Sequence, residues 1–128
     1  MPLTTFDEQQ PVLVKFTFNN AWGTVLHMIV DTVGYKLRLD ALFAVNIDTI
    51  DHIVNVYLGR GGSSSVLGAV NVPATTMSNV QVPVDILAAL GLTAQSGLVL
   101  GPLDQLTLGV AVIVGTGAVY VSGVGGTL

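Results

Sequence analysis

The sequence predicts an all-β fold: an antiparallel β-sandwich, jelly-roll-like, with one short helix near 85–90. Apolar and polar residues alternate with period two in several short segments that are rich in β-branched residues. Turn-forming Gly, Asn, Asp and Pro residues separate these segments at intervals of roughly 8 to 12 residues, as in sandwiches and barrels. The short helix is indicated by an apolar run, 86–90, that lies between a capping Asp85 and a terminating Gly91.

Seven or eight strands follow from this pattern. Tyr35 to Val45 alternates most clearly, and the segment 24–30 is apolar on both faces, as in a strand covered from both sides. The loop of residues 59–65 (GRGGSSS) is interpreted as a mobile hairpin connection because small flexible residues separate two strand patterns. The other predicted strands are 12–18, 52–58, 66–72, 98–100, 106–114 and a last one after the turn at 115–117.

The chain divides into an extended N-terminal arm, residues 1–11, and one β-sandwich domain, residues 12–128. The arm is polar and acidic and is bounded by Pro2 and Pro11. Its Leu3 and Phe6 are apolar enough to dock on a neighbouring chain, where the arm's backbone pairs with an exposed strand edge. The alternative is a plain disordered terminus.

Charged residues make up only 9% of the chain, against roughly 25% in an ordinary soluble domain. Partners are therefore expected to bury part of the outer surface. The four basic residues are scattered singly, so no basic stripe is available to neutralise nucleic-acid phosphates. Cysteine is absent, which removes thiolate chemistry and Cys-based metal sites and fits folding in a reducing cytoplasm.

The C-terminal region raises the question of a membrane segment. Residues 106–124 carry no charge and are long enough to cross a bilayer as a helix. The period-two recurrence of Leu106, Leu108 and Val110 favours two strands instead, and no Lys or Arg follows to anchor an end. No secretory signal is readable, so the mature chain is expected to start near Met1.

The polar residues do not form a convincing catalytic set. A Ser–His–Asp arrangement would need His27 or His52 with Ser63–Ser65 and Asp48 or Asp51. Asp51 and His52 are adjacent and would point to opposite faces of a strand, so structural roles are favoured for both histidines. No enzyme activity, cofactor or metal is therefore predicted.

Two weaker sites stay open. Asp48, Asp51 and His52 could hold a weak Ca²⁺ ion, although turn capping by the carboxylates is favoured and no DxDxDG loop is present. Trp22 is either a core residue or an exposed anchor for a partner. With Asn19 and Asn20 it is also the one grouping that fits a carbohydrate- or ligand-binding module.

Four segments in order resemble small tailed-bacteriophage virion proteins: NIDTIDHIVNVYL at 46–58, LGAVNVPATT at 67–76, VDILAALGL at 84–92 and LGPLDQLTL at 100–108. The resemblance implies a β-sandwich structural protein of the virion, made in the host cytoplasm. It implies capsid decoration or cementing as a homo-oligomer, with a trimer expected, in contact with the major capsid protein or another virion protein. The alternative in the same class is a tail or fibre-associated adaptor.

The expected partner-binding residues are accordingly Leu3 and Phe6 of the arm and Trp22 of the domain. No nucleic acid or membrane is expected among the partners.

Overall fold

The computed structural model describes residues 11–32, 35–60, 63–74, 83–92 and 97–128. These residues form nine strands and one α-helix. The elements are β1 (Pro11–Phe18), β2 (His27–Asp31), β3 (Leu37–Asn46), β4 (His52–Arg60), β5 (Ser63–Val72), β6 (Val84–Asp85), α1 (Ile86–Ala89), β7 (Leu98–Leu100), β8 (Asp104–Val110) and β9 (Val119–Thr127).

The strands form two sheets that confirm the all-β sandwich. The first sheet has the order β1-β9-β3-β6, with β7 also paired to β3, and the second has the order β2-β8-β4-β5. All pairs between these strands are antiparallel. The connections β1 to β2, β3 to β4 and β8 to β9 each cross from one sheet to the other, which is the winding of a jelly roll.

The core lies between the two sheets and is built from alternate strand residues. β3 turns Leu37, Leu39, Leu42 and Ala44 inward, and the inward residues skip one position where β3 bulges against β9. Gly125 of β9 lies beside this bulge, where a Cβ atom would collide with the Arg38 carbonyl oxygen. The other large core side chains include Phe18, Val54, Val56, Ile86, Leu100, Leu106, Leu108 and Val121.

The short helix forms as its sequence predicts. The side chain of Asp85 accepts a hydrogen bond from the Ala88 amide at 3.1 Å, which caps the first turn. Gly91 follows the helix with a φ of +85°, a left-handed conformation that glycine adopts without steric cost. Ile86 and Leu87 are buried, so α1 closes part of the core.

Several strand limits differ from the sequence-based prediction. Strand β1 begins at Pro11, so this residue belongs to the sheet and not to the arm. Strand β2 begins at His27 and is an edge strand whose Met28 is half exposed, so the prediction of a strand covered on both faces is wrong for this chain. The remaining arm residues, 1–10, lie outside the described residues.

The predicted loop 59–65 is mostly strand. Gly59 and Arg60 end β4, Ser63–Ser65 begin β5, and the two segments pair with each other. Only residues 61 and 62 separate the strands, and these two lie outside the described residues. Small polar residues can form a loop, but they also form a hydrogen-bonded strand when a partner strand is present, because strand preference depends on context.

The apolar region 106–124 forms β8, an irregular connection at 111–118 and the start of β9. The prediction of two strands is confirmed, although the first ends at Val110 and does not reach Val114. In the part of the chain that the structure describes, no helix has both the length and the apolar character needed to cross a membrane.

Candidate functional site

The β3–β4 connection is held by a buried polar network. The Nε2 atom of His52 lies 2.7 Å from Oδ2 of Asp48, and both side chains are almost fully buried. Oδ1 of Asn46 accepts a hydrogen bond from the Asp48 amide at 2.8 Å, which forms an Asx turn. The Asn46 side-chain amide donates to the carbonyls of Ile50 and Val72. The network therefore fixes the loop to both sheets.

Asp48 also holds the β8–β9 connection. Its carboxylate accepts hydrogen bonds from the amides of Gly115 at 2.8 Å and Gly117 at 3.3 Å. The hydrogen bond with His52, followed by that from Gly115, holds the pKa of Asp48 far below its usual range, against the opposing effect of burial. Asp48 is thus an ionised carboxylate that joins two loops at one end of the sandwich.

The geometry does not assemble the hydrolase arrangement considered from the sequence. His52 is buried and pairs with Asp48, while Asp51 is exposed and lies just before β4, so the expectation that assumed both residues in one strand does not apply. Ser63 pairs with Arg60 at the far end of β4. Arg60 is eight positions after His52 along β4, which is roughly 26 Å at about 3.3 Å per residue.

The carboxylates weighed as a weak Ca²⁺ site serve as backbone caps in the structure. Asp51 accepts a hydrogen bond from the Ala74 amide at 2.8 Å, and Asp48 is occupied as described above. Within the described ranges, no group of three or more His, Asp or Glu side chains is placed to hold a metal ion.

An aromatic cluster closes the open side of the sandwich between the edge strands β1 and β2. The His27 ring stacks on Phe16 with centroids 4.9 Å apart, and Trp22 meets His27 edge-on at 4.3 Å. Phe18 lies edge-on to Phe16 at 4.8 Å. The Nε2 atom of His27 is buried without a hydrogen-bond partner, so this imidazole acts as a packing group.

Trp22 is neither a full core residue nor a free anchor. Its ring packs on the aromatic cluster and is still 43% exposed. Asn19, which the sequence groups with Trp22 as a ligand site, uses its side-chain oxygen to cap the 3₁₀ turn of residues 20–22 through the Ala21 amide. Leu3 and Phe6, the other predicted partner-binding residues, lie outside the described residues.

Trp22 belongs to a larger apolar surface at this end of the sandwich. We call it the loop-end surface; it is formed by exposed residues of the β1–β2, β3–β4 and β8–β9 connections, namely Trp22, Val25, Leu26, Ile50, Val112 and Ile113. Leu26 packs over Gly109 of β8, where any side chain would collide with it. The Asp48 network holds the other two connections. The six side chains are apolar and preorganised, and the single exposed charged residue of these three connections is Asp51.

Sequence reasoning finds Trp22 but misses Val112 and Ile113, because their alternating pattern continues that of β8. The nearby Gly115–Gly117 turn is the signal that the strand could end early. Neither the alternation nor the glycine turn alone shows where the pairing of β8 with β4 stops.

The opposite end of the domain is organised by an ion pair. Nη2 of Arg60 donates to Oδ2 of Asp104 at 2.9 Å, and Nε donates to the other oxygen. The hydrogen bond from Arg60 lowers the pKa of Asp104, with a further contribution from the Gly101 amide. The hydroxyl of Thr32 donates to the carbonyls of Gly101 and Asp104. These contacts fix the turn that precedes β8.

The outer faces of the sheets differ in character. The outer face of the second sheet carries uncharged side chains that are neighbours across β2, β8, β4 and β5. They include Met28, Thr107, Tyr57, Val66, Ile53, Asn55 and Asn71.

The first sheet has a shallow groove of about 290 Å³ over β9, between β1 and β3. Its sides and floor are formed by Leu13, Lys15, Ala41, Phe43, Ser122 and Val124.

Comparison with known proteins adds little. No protein-family model matches the chain, and no curated protein matches it. Among solved structures, the chain is similar to a subunit of Bacillus endospore appendages, described as a family of disulfide-linked pili. The match has a TM-score of 0.40 and 12% sequence identity and covers 94% of this chain and 87% of that one. This chain has no cysteine.

Proposed function

We propose that this chain is a non-catalytic virion structural protein that decorates or stabilises a bacteriophage capsid through protein–protein contacts. In this proposal it is made in the host cytoplasm and acts as a homo-oligomer, with a trimer as the expected form. The loop-end surface binds the major capsid protein or another virion protein.

The observation that carries the proposal is the imbalance of the exposed surface. Among the described residues, 18 large apolar side chains are exposed, against seven exposed charged ones, which are Lys15, Asp31, Lys36, Arg38, Asp40, Asp51 and Arg60. Monomeric soluble proteins rarely present large contiguous apolar patches, and such patches mark interaction sites. An assembly in which neighbouring chains cover these apolar side chains accounts for their number on the surface of the single chain.

The placement of the polar groups supports a structural role. Asp48 and His52 are buried and hold loops, and Asp104 with Arg60 fixes a turn. His27 is packed between aromatic rings. A catalytic base must reach a substrate proton, and these groups are instead used to position backbone. The rigid ends of the sandwich suit a protein that presents fixed surfaces to neighbours.

The bacteriophage context rests on the order of the four sequence segments between residues 46 and 108. Three of them lie wholly within the described residues, and the segment 100–108 carries the turn before Asp104 and most of β8. The segment 46–58 carries the Asn46–Asp48–His52 network and β4, and the segment 84–92 carries β6 and the capped helix. A rigid loop-end surface is compatible with the decoration role that the resemblance implies.

The test is the copy number of the protein in purified particles. Decoration of a capsid predicts hundreds of copies for each particle, measured by quantitative mass spectrometry against the major capsid protein. A tail or fibre-associated adaptor, the alternative role, predicts a few copies at one end of the particle. Absence of the protein from purified virions would refute both.

A further inference from the structure

The groove on the first sheet lies where three strands bring their outward side chains into rows. Leu13, Val124 and Ala41 form one row across β1, β9 and β3, and Lys15, Ser122 and Phe43 form the next. In the second row the small Ser122 of the central strand lies between Lys15 and Phe43, and in the first row Ala41 is the small member beside Val124. These small side chains leave the space between the longer ones that forms the open groove on the sheet.

The groove is apolar with one cation at its side. Leu13 is 79% exposed and Val124 is 47% exposed, and Phe43 is also partly open to solvent. Lys15 is exposed and forms no salt bridge in the structure as described. A matching ligand would supply an apolar side chain followed closely by a negative charge.

The first ten residues of the chain have this composition. They read MPLTTFDEQQ, which contains the apolar residues Leu3 and Phe6. Phe6 is followed directly by Asp7 and Glu8. Phe6 supplies an aromatic side chain for the apolar floor. The adjacent carboxylates supply the charge complementary to Lys15.

The position of Pro11 favours a second copy over the same chain. Pro11 pairs with Gly126, only two residues before Leu13 at the start of the groove. The same chain would have to reverse direction within Glu8-Gln9-Gln10, which contains none of the Gly, Pro, Asn, Asp or Ser residues that favour turns. Ten extended residues span roughly 33 Å, enough to reach a neighbouring domain of radius of gyration about 14 Å.

We propose that residues 1–10 of one copy bind in the first-sheet groove of a second copy. Phe6 lies among Leu13, Phe43 and Val124, and the carboxylate of Asp7 or Glu8 pairs with Lys15. The inference rests on the proposed oligomeric structural role and names the contact that links neighbouring copies. A heterologous contact of this kind closes into a ring when the rotation between copies is a simple fraction of a turn.

Disulfide cross-linking tests the contact directly, because the natural chain has no cysteine. A full chain carrying Thr5→Cys, which keeps the Phe6 ring, is mixed with a chain carrying Ser122→Cys and oxidised. We expect covalent heterodimers on a non-reducing gel, at least fivefold more than with Asn71→Cys, an exposed position on the second sheet. Equal yields with both partners would overturn the proposal. A double variant, Thr5→Cys with Ser122→Cys, that gave only cross-linked monomer would place the arm on its own chain and also overturn it.

A charge exchange provides the second test. Lys15→Glu and the pair Asp7→Lys with Glu8→Lys should each weaken self-association at least tenfold in sedimentation equilibrium. When the two variant chains are mixed, the lysines at 7 and 8 of one variant can pair with the glutamate at 15 of the other, so association should recover in the mixture. Lys36→Glu, which makes the same charge change at an exposed residue outside the groove, should have little effect.

The two experiments separate this inference from the proposed function. A chain that associates but shows no selective cross-link and no recovery in the mixture would refute the arm contact and leave assembly standing. A chain that stays monomeric at micromolar concentration would refute both.

Discussion

Replacement of Asp48 by Ala is expected to lower the free energy of unfolding by about 3–5 kcal/mol, because each buried hydrogen-bonding group left without its partner costs about 1–3 kcal/mol. The substitution leaves the buried His52 Nε2 without its partner and removes the acceptor of the Gly115 and Gly117 amides. Urea unfolding, followed by far-ultraviolet circular dichroism, measures the loss.

Asp51→Ala is the matched control. Asp51 is three positions further along, is exposed and accepts one hydrogen bond from the Ala74 amide. Its loss should cost about 1 kcal/mol, the usual net value of one hydrogen bond. Equal effects of the two substitutions would show that the Asp48 network does not hold the loops as its geometry indicates.

The same carboxylate makes stability depend on pH in the acid range. The pKa of Asp48 is lower in the folded chain than in the unfolded chain, where an Asp titrates near about 3.9. The stabilising contribution is therefore fully present above the unfolded value and is lost as pH falls through the folded value. We expect Asp48→Asn to flatten the decline in unfolding free energy below pH 5.

The flattening should be partial, because Asp104 also has a lowered pKa through Arg60. Adding Asp104→Asn should remove more of the slope. Asp51→Asn serves as the control, and a slope unchanged by Asp48→Asn would contradict the assignment.

Much of the fold is predictable from local pattern. Period-two alternation places β1, β3 and β4 within about two residues at each end, since a half-buried strand must alternate its side chains. The capped helix is also predictable, because Asp85 and Gly91 act on their own neighbours. Local sequence carries this information because the interactions involved are local.

Contacts between distant residues are not predictable in this way. Asp48 meets Gly115, 67 positions away, and the sequence near Asp48 favours a turn cap without showing which backbone amides it binds. The bulge in β3 depends on the absence of a side chain at Gly125, on another strand. Contacts of this kind depend on how the chain crosses between the two sheets. No short segment of the sequence encodes that path.

The end of β8 illustrates the same limit at the candidate site. Val110, Val112 and Val114 continue the period of the strand, yet pairing stops at Val110. Val114 is buried while Val112 and Ile113 are exposed. The Ala111 amide still bonds to the Ile53 carbonyl of β4, and beyond it the chain leaves the sheet, where the Gly115 amide bonds to Asp48. The departure exposes two apolar side chains at the loop-end surface.

In the proposed decoration role, charge introduced at these two positions should release the protein from the particle. The double substitution Val112→Asp and Ile113→Asp places two carboxylates on the loop-end surface, where burial against a partner would require their desolvation. We expect the affinity for particles that lack the protein to fall about 100-fold or more, in line with the loss of central interface residues. Re-addition of purified protein to such particles, followed by sedimentation, measures it.

Two exposed residues at the opposite end supply the control. Tyr35 is 39% exposed and Leu103 is 56% exposed, so Tyr35→Asp with Leu103→Asp makes the same change of charge on equally open apolar side chains. Both double variants should keep the circular dichroism and unfolding midpoint of the parent chain within narrow limits, because none of the four side chains is buried.

Release by the opposite-end variant alone would mean that the domain attaches by its other end. Release by both would mean that net charge, and not a defined surface, governs attachment. Selective release by the Val112 and Ile113 variant is the outcome that the loop-end surface requires, since there three connections present apolar side chains on a framework fixed by Asp48.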